Sequence, residues 1–338
     1  MRRGFASVLL ALAGCLEPSG GSDLPIDAGQ ATAGPDASGQ DAAGAPDAGL
    51  GAADAAGVDA GDAGPGLCGL EVAGPRWLAY SSRRSGNYDL YLVRADGTCD
   101  RQLTSDPADD LYTSWAPSGR VLAYASARGK LGIYLLDLQA GTESQLQVGD
   151  LQATSPAFSP DGMTIAFEGR SAGKAGSEIY SVSAQGGVPV KLTDNAAIDA
   201  GPVWSADGSA LYFVSNRGGT YEIWSMGATG AGPKALTNGA KILGRPAAAP
   251  DGATLVFARL SAKNQSELAT LTLADGKVNL LSSEEESEPS WEPGGGRIAV
   301  SSWRYGNPEI VLLDMPGGSS PVRVTNRTST DGSPAFRP

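Results

Sequence analysis

The sequence contains no histidine, only three cysteines and a small share of charged side chains. Without histidine, the chain cannot build a Ser-His-Asp or Cys-His catalytic site, a histidine general base or a histidine-ligated metal centre. Three cysteines cannot form an all-cysteine zinc site, which needs four thiolates. The net charge of −12 argues against a nucleic-acid partner, because phosphate backbones are bound by basic surfaces. We therefore expect no metal site and no cofactor.

Residues 16–66 lack lysine, arginine and aromatic side chains. They carry nine acidic residues and repeat Asp-Ala-Gly phrases, as in residues 46–49 and 59–64. A segment with so few large apolar residues cannot build a hydrophobic core. The EF-hand ligand pattern with its closing glutamate is missing as well, which argues against a calcium site. We predict a disordered acidic spacer with an r.m.s. reach of roughly 40 Å.

The first fifteen residues have the layout of an export signal. Arg2 and Arg3 precede the short apolar run of residues 5–13, which is too short to span a bilayer. The run leads into Leu-Ala-Gly-Cys at residues 12–15, which resembles the lipobox of bacterial lipoproteins. We therefore predict that residues 1–15 are a lipoprotein signal peptide and that Cys15 carries the lipid. The alternative is an ordinary signal peptide with an incidental cysteine.

From residue 75 the chain repeats with a period of about 44 residues, a length typical of propeller blades. Each unit contains four short apolar runs of strand length. The first run ends at an anchor that recurs at spacings of 43 to 46 residues: Trp115, Phe158, Trp204, Ala248, Trp291 and Phe336. The second run has its own anchor: Tyr80, Tyr124, Phe167, Phe213, Phe257 and Val300. Pairs of the Ile-Tyr type mark the third run, and pairs of the Leu-Thr type end the fourth.

Turns of the Asp-Gly type join the first two runs, as at Asp161-Gly162, and are typical of hairpins. Four antiparallel strands per unit predict a propeller blade, whose faces are buried by stacking on its neighbours. The first unit begins at Trp77 in the second run, after a lead-in of residues 67–74, and residues 331–338 supply the run that it lacks. We therefore predict an all-β, six-bladed β-propeller over residues 75–338, in which the C-terminus provides the innermost strand of the first blade.

These phrases resemble the TolB-like family of six-bladed propellers. The family phrase runs Ser-Pro-x-Trp-Ser-Pro-Asp-Gly, then Ile-Ala-Phe-x-Ser-x-Arg-x-Gly, then Ile-Tyr and Leu-Thr. Residues 155–170 and 202–224 match it best, whereas the fifth unit departs, with Ala248 and Ala269 in place of aromatic residues. The resemblance covers residues 75–338 and implies the fold. It does not imply a function, because such repeats serve many proteins.

A basic residue follows the second run in every unit: Arg84, Arg128, Arg170, Arg217, Arg259 and Arg304. We expect these loops to share one rim with the loops that enter the innermost strands, which carry Asp110, Asp199, Glu288 and Asp331. The arginines are expected to pair with these carboxylates and to lock neighbouring blades together. The alternative is a polar ring that receives an acidic segment of a partner.

Two further motifs lie in the predicted loops. Trp303-Arg304-Tyr305 combines the residue types favoured as interface anchors, although it could equally pack on a neighbouring loop. The Gly-x-Ser-x-Gly motif of residues 169–173 would place Ser171 as a nucleophile, but such a site needs a strand-to-helix turn and a histidine. We expect Ser171 to be non-catalytic. The glutamates of residues 284–286 are expected to form a solvated loop.

Two cysteines remain once Cys15 is assigned to the lipid. An even pair in an exported protein suggests a disulfide, here between Cys68 in the lead-in and Cys99 in the turn between the third and fourth strands of the first blade. Such a bridge would fasten the end of the spacer to the propeller. Two free thiols are the alternative.

We expect a lipid-anchored protein of the cell envelope, exported to the outer membrane on its periplasmic or surface side, that binds a protein or an envelope polymer without catalysis. It should be monomeric, touch the membrane only through its lipid and bind no nucleic acid. One alternative is a propeller-type lyase or hydrolase. The propeller lyases use histidine-rich metal sites and the propeller peptidases carry a separate hydrolase domain. The other alternative is a glycan or small ligand in the central channel.

Overall fold

The structure is a computed structural model and describes residues 76–338. These residues form six four-stranded antiparallel sheets, each containing one sequence repeat, and no helix occurs among them. The prediction of an all-β, six-bladed propeller is confirmed. The predicted signal peptide, spacer and lead-in lie outside the described residues.

Blade 1 is completed by the last strand of the chain, as predicted. Its strands, from the channel outward, are β24 (Asp331–Phe336), β1 (Trp77–Ser82), β2 (Asp89–Arg94) and β3 (Arg101–Gln102). Strand β24 lies antiparallel to β1, with Phe336 opposite Leu78 and Asp331 opposite Ser82.

The other blades use consecutive strands. Blade 2 contains β4 (Asp110–Trp115), β5 (Val121–Ser126), β6 (Gly132–Asp137) and β7 (Thr142–Gln145). Blade 3 contains β8 (Gln152–Phe158), β9 (Thr164–Arg170), β10 (Glu178–Ser183) and β11 (Val190–Lys191). Blade 4 contains β12 (Asp199–Trp204), β13 (Ala210–Ser215), β14 (Glu222–Gly227) and β15 (Lys234–Ala235). Blade 5 contains β16 (Ala247–Ala248), β17 (Thr254–Leu260), β18 (Ser266–Thr272) and β19 (Val278–Ser282). Blade 6 contains β20 (Glu286–Trp291), β21 (Arg297–Ser302), β22 (Glu309–Asp314) and β23 (Ser319–Arg323).

The hydrophobic core lies between the blades rather than in one centre. The second-strand anchors that recur in the sequence are all fully buried: Tyr80, Tyr124, Phe167, Phe213, Phe257 and Val300. Between blades 6 and 1, Phe336 packs with Leu312 of one blade and Leu78 of the other. The burial of both faces of each sheet explains why the strands have nearly continuous apolar runs.

Indole groups at the ends of the innermost strands link neighbouring blades. Trp115 donates its Nε1–H to the carbonyl oxygen of Ala335 at 3.0 Å, which joins blade 2 to the C-terminal strand. Trp204 does the same to Ala157 at 3.0 Å. The anchor residues therefore supply both apolar area and a hydrogen bond that fixes the spacing of the blades.

A bulge interrupts most of the innermost strands at the same place. The register against the second strand shifts by one step in each of β4, β8, β12, β20 and β24. In each of these strands, the residue three positions before the anchor has a positive φ: Tyr112, Ser155, Gly201, Glu288 and Ser333. A bulge re-aims the side chain of the extra residue.

Candidate functional site

Two sets of loops meet on one face of the propeller, which we call the rim. They are the loops after the second strand of each blade and the loops that enter the innermost strands. Asn87 in the first set donates its Nδ2–H to the carbonyl oxygens of Asp106 and Ala108 in the second, at 2.9 and 2.7 Å. Asn307 makes the same contact with Ser329 at 2.7 Å. These hydrogen bonds join the two sets of loops between blades 1 and 2 and between blades 6 and 1, through asparagine side chains and not through the expected arginine–carboxylate pairs.

The six rim arginines do not occupy equivalent positions. Arg84, Arg128, Arg217 and Arg304 follow the second strand, whereas Arg170 and Arg259 lie inside it. The guanidinium carbon of Arg84 lies 3.4 Å from the centre of the Tyr91 ring, and that of Arg217 lies 4.6 Å from the Trp224 ring. Cation–π contact with the third strand thus fixes these side chains under the rim.

The arginines pair mostly within their own blade, which corrects the prediction that they lock neighbouring blades. A distance of 3.2 Å separates Arg128 from Asp110, and 2.7 Å separates Arg217 from Asp199. Within blade 5, Arg259 lies 2.8 Å from Glu267. The reason is antiparallel pairing, which places the first residue of the innermost strand beside the last residue of the second strand.

Glu288 is not the acid of the loop that enters blade 6. The equivalent of Asp110 is Glu286, which is fully buried and lies 2.8 Å from Arg304. The expectation of a solvated loop at residues 284–286 is therefore wrong for its last member. Glu288 lies within β20, where its carboxylate accepts hydrogen bonds from the backbone N–H and the hydroxyl of Ser333.

Asp100 joins blades 6 and 1 at the rim. It lies 2.7 Å from both Arg84 of blade 1 and Arg327 of the loop leaving blade 6, and it accepts a hydrogen bond from Tyr80. Burial opposes ionisation of Asp100, but the hydrogen bonds from both arginines hold its pKa below the ordinary value. At this seam, where the ring closes, an ion pair does join two blades.

Sequence reasoning missed a second set of buried acids. They stand at the first position of third strands: Asp89, Glu178, Glu222 and Glu309. Glu178, for example, accepts a hydrogen bond from Thr193 at 2.7 Å and one from the backbone N–H of Asn195 at 2.7 Å. The signal was the acid that precedes the Ile-Tyr type pair in five of the six units, together with the threonine that ends the Leu-Thr pair in four of them. These carboxylates hold the rim loops and are already hydrogen-bonded, so their role is structural.

The blade-6 triplet divides between structure and surface. Arg304 is paired with Glu286. Tyr305 is 41% exposed, and the guanidinium carbon of Arg323 lies 4.5 Å from the centre of its ring. Trp303 is partly buried. Ser171 lies in the loop between β9 and β10, where its carbonyl oxygen accepts a hydrogen bond from Lys174 in a tight turn. A strand follows that loop, as expected, and not the helix of a nucleophile elbow.

The bulged positions define a second polar region along the central channel. We call the six equivalent residues the channel ring: Tyr112, Ser155, Gly201, Arg245, Glu288 and Ser333. Each stands three residues before the anchor of its innermost strand, and five of the six precede a proline. The variable residue before this proline was the signal that sequence reasoning overlooked.

Glu168 adjoins the channel ring from the second strand of blade 3. Its pKa is raised from 4.5 to about 7, because burial disfavours the carboxylate more than the hydrogen bonds from Ser177 and from the backbone N–H of Gly201 favour it. The equivalent positions in the other blades are occupied by serine, alanine or valine. Glu168 is therefore a feature of this blade alone.

Cys99 is disulfide-bonded, and its partner lies outside the described residues. Cys15 and Cys68 also lie outside them, so lipidation and the Cys68–Cys99 pairing stay predictions. No helix within residues 76–338 is long and apolar enough to cross a membrane. In the same part of the chain, no group of three or more acidic or cysteine side chains is arranged to hold a metal ion.

The fold and the repeats define a propeller of the TolB type. The family model of the TolB beta propeller domain matches residues 73–175 and 129–290. These matches cover more than half of the chain, and the protein belongs to this family.

Known relatives extend the comparison. An uncharacterized protein of Agrobacterium fabrum is 28% identical over 148 residues, which are 44% of this chain and 50% of the relative. The Tol-Pal system protein TolB of Bordetella pertussis is 30% identical over 144 residues, 42% of this chain and 32% of the relative. The matched segment thus spans half or less of these relatives. The crystal structure of TolB from Acinetobacter baumannii superimposes with a TM-score of 0.70 at 25% identity, covering 78% of this chain and 67% of that one.

Proposed function

We propose that this protein is a non-catalytic, lipid-anchored envelope protein whose propeller binds a protein partner at the rim. The observation that supports this proposal is the exposed ring of Tyr305, close to the partly buried Trp303. The guanidinium of Arg323 lies over the Tyr305 ring and is itself paired with Glu309. Tryptophan, tyrosine and arginine are enriched among the residues that contribute most of the binding energy at protein interfaces. The relative named as a Tol-Pal system protein favours a protein partner over an envelope polymer.

The proposal includes export, an anchor at Cys15, residence at the outer membrane and a monomeric propeller. It assigns no turnover to the rim, because its buried carboxylates are engaged by arginine, threonine or backbone groups. An enzyme of the lyase or hydrolase class is the rival. Turnover on glycan or peptide substrates that one carboxylate variant abolishes would establish that rival and overturn the proposal.

The test is affinity capture from solubilised envelopes with the intact lipoprotein. Trp303→Ala and Tyr305→Ala should weaken capture by more than about 1 kcal/mol in at least one case, roughly fivefold, with little change in Tm. Arg304→Ala is unsuitable, because it leaves Glu286 buried without its cation. Met163→Ala is the matched control, since Met163 is 71% exposed in a turn on the opposite face. Full-strength capture by the double variant of Trp303 and Tyr305 would refute the rim site.

A further inference from the structure

Arg245 is the one cation of the channel ring, and its side chain crosses the channel. Its Nη1 donates to the carbonyl oxygen of Pro156 in blade 3 at 3.1 Å, and its Nη2 donates to that of Thr113 in blade 2 at 3.3 Å. The arginine itself belongs to blade 5, two residues before β16 begins. The side chain therefore passes the innermost strand of blade 4 to reach the far side.

Gly201 of blade 4 makes this path available. A Cβ at Gly201 would lie 3.1 Å from the Cβ of Arg245 and 3.4 Å from its Cγ, which is tighter than ordinary contact. Gly201 also has a φ of +56°, which disfavours other residues. The side chain of Arg245 thus lies in a shaped cradle, and its course across the channel is fixed by packing as well as by hydrogen bonds.

The charge of Arg245 is not compensated in the way that the rim arginines are. Among residues 76–338, no carboxylate oxygen lies within 4.0 Å of its nitrogens, whereas Arg84, Arg128 and Arg217 each have at least one such partner. The nearby Glu288 directs its two oxygens to Ser333 instead. Burial lowers the pKa of Arg245, although the guanidinium stays protonated at any physiological pH.

We propose that the central channel binds a carboxylate group, with the Arg245 guanidinium as its anchor. A guanidinium has five N–H donors, and the two carbonyl oxygens leave donors to form a paired contact with a carboxylate. A single negative charge suits the site better than a phosphate, because the negative charge of Glu288 already acts on Arg245 from the same channel ring. The carboxylate comes either from a free small molecule or from an acidic side chain of a polypeptide, and the test separates these sources.

The test uses isothermal titration calorimetry on the whole chain in detergent. The probes are acetate and a blocked pentapeptide with one central glutamate, together with the same peptide carrying glutamine. The variants are Arg245→Gln, Arg245→Lys and, as a matched control, Lys263→Gln, which removes one exposed positive charge from the same blade. Thermal unfolding checks that each variant folds.

The proposal is supported if wild type and Lys263→Gln bind acetate or the glutamate peptide and Arg245→Gln binds the same probe at least tenfold more weakly. Arg245→Lys keeps the charge but not the planar fork, and should also bind several-fold more weakly than wild type. If the glutamate peptide binds more tightly than acetate, the carboxylate comes from a polypeptide. If the two probes bind equally, it comes from a free small molecule. Absence of binding by both probes, equal binding by wild type and Arg245→Gln, or equal binding of the two peptides would overturn the proposal.

Discussion

Phe336→Ala tests how the ring is closed. Phe336 ends β24 and is 6% exposed, packed with Leu78 of its own blade and Leu312 of blade 6. Its side chain therefore touches both sides of the seam between the last blade and the first. Removing it leaves a cavity that β24 cannot fill, because that strand is held on one side by β1 and on the other by the Trp115 indole.

The magnitude follows from the size of the side chain and its burial. Replacing a buried phenylalanine by alanine costs about 3–5 kcal/mol, from lost transfer free energy and from the cavity. In a chain of this size, Tm falls by about 2 °C per kcal/mol. Thermal and urea unfolding, followed by circular dichroism, should therefore show Tm lowered by roughly 6–10 °C.

Two controls make the measurement decisive. Phe257→Ala removes a fully buried ring from blade 5, away from the seam, and should cost as much. Val188→Ala truncates a side chain that is 92% exposed and should change Tm by less than about 1 °C. If Phe336→Ala behaved like Val188→Ala while Phe257→Ala destabilised the protein, β24 would not hold the ring closed, and the reasoning would be refuted.

Three further predictions concern charge, the anchor and the disulfide. Because the pKa of Glu168 is raised in the folded protein from 4.5 to about 7, its contribution to stability is present below pH 4.5 and is lost as the pH rises through 7. Glu168→Gln should therefore unfold at a higher urea concentration than wild type at pH 8 but not at pH 4, and an equal difference at both pH values would contradict this. Cells given a labelled fatty acid should label wild type but not Cys15→Ala, and equal labelling would exclude the anchor. Peptide mapping without reductant should find the peptides of Cys68 and Cys99 joined by a disulfide. If Cys99 were joined to Cys15 instead, Cys15 would have no free thiol to carry the proposed lipid.

The fold was predictable from the sequence because the same physical requirement recurs six times. Each sheet must bury both faces against its neighbours, so each repeat places an aromatic or aliphatic residue at the same points, as at Phe167 and Phe213. The closing strand was predictable because residues 331–338 repeat the phrase that the first unit lacks. One repeat would have been ambiguous, but six that agree on period and turn chemistry leave one architecture.

The candidate site was less predictable, because side-chain pairing depends on register. The sequence shows an arginine near the end of each second strand, but whether Arg217 meets Asp199 of its own blade or an acid of the next depends on how the strands align. Glu286 and Glu288 are two residues apart and look alike in sequence, yet one lies under the rim and the other in the channel. Arg245 carried no signal beyond a proline after it, because its partners are backbone carbonyl oxygens of distant blades.

The strand that completes blade 1 has a consequence for biogenesis. Ser81 donates a hydrogen bond to Gly332, a partner 251 residues later in the chain. Until those last residues emerge, the inner edge of β1 has unpaired N–H and C=O groups and can pair with other chains. Contacts between residues so far apart in sequence make folding slow, so the nascent protein spends an extended time in an incompletely closed, aggregation-prone state. A product truncated before β24 would lack the strand that closes the ring. We expect cells to degrade it or lose it to aggregation, even though its other five blades have all their strands.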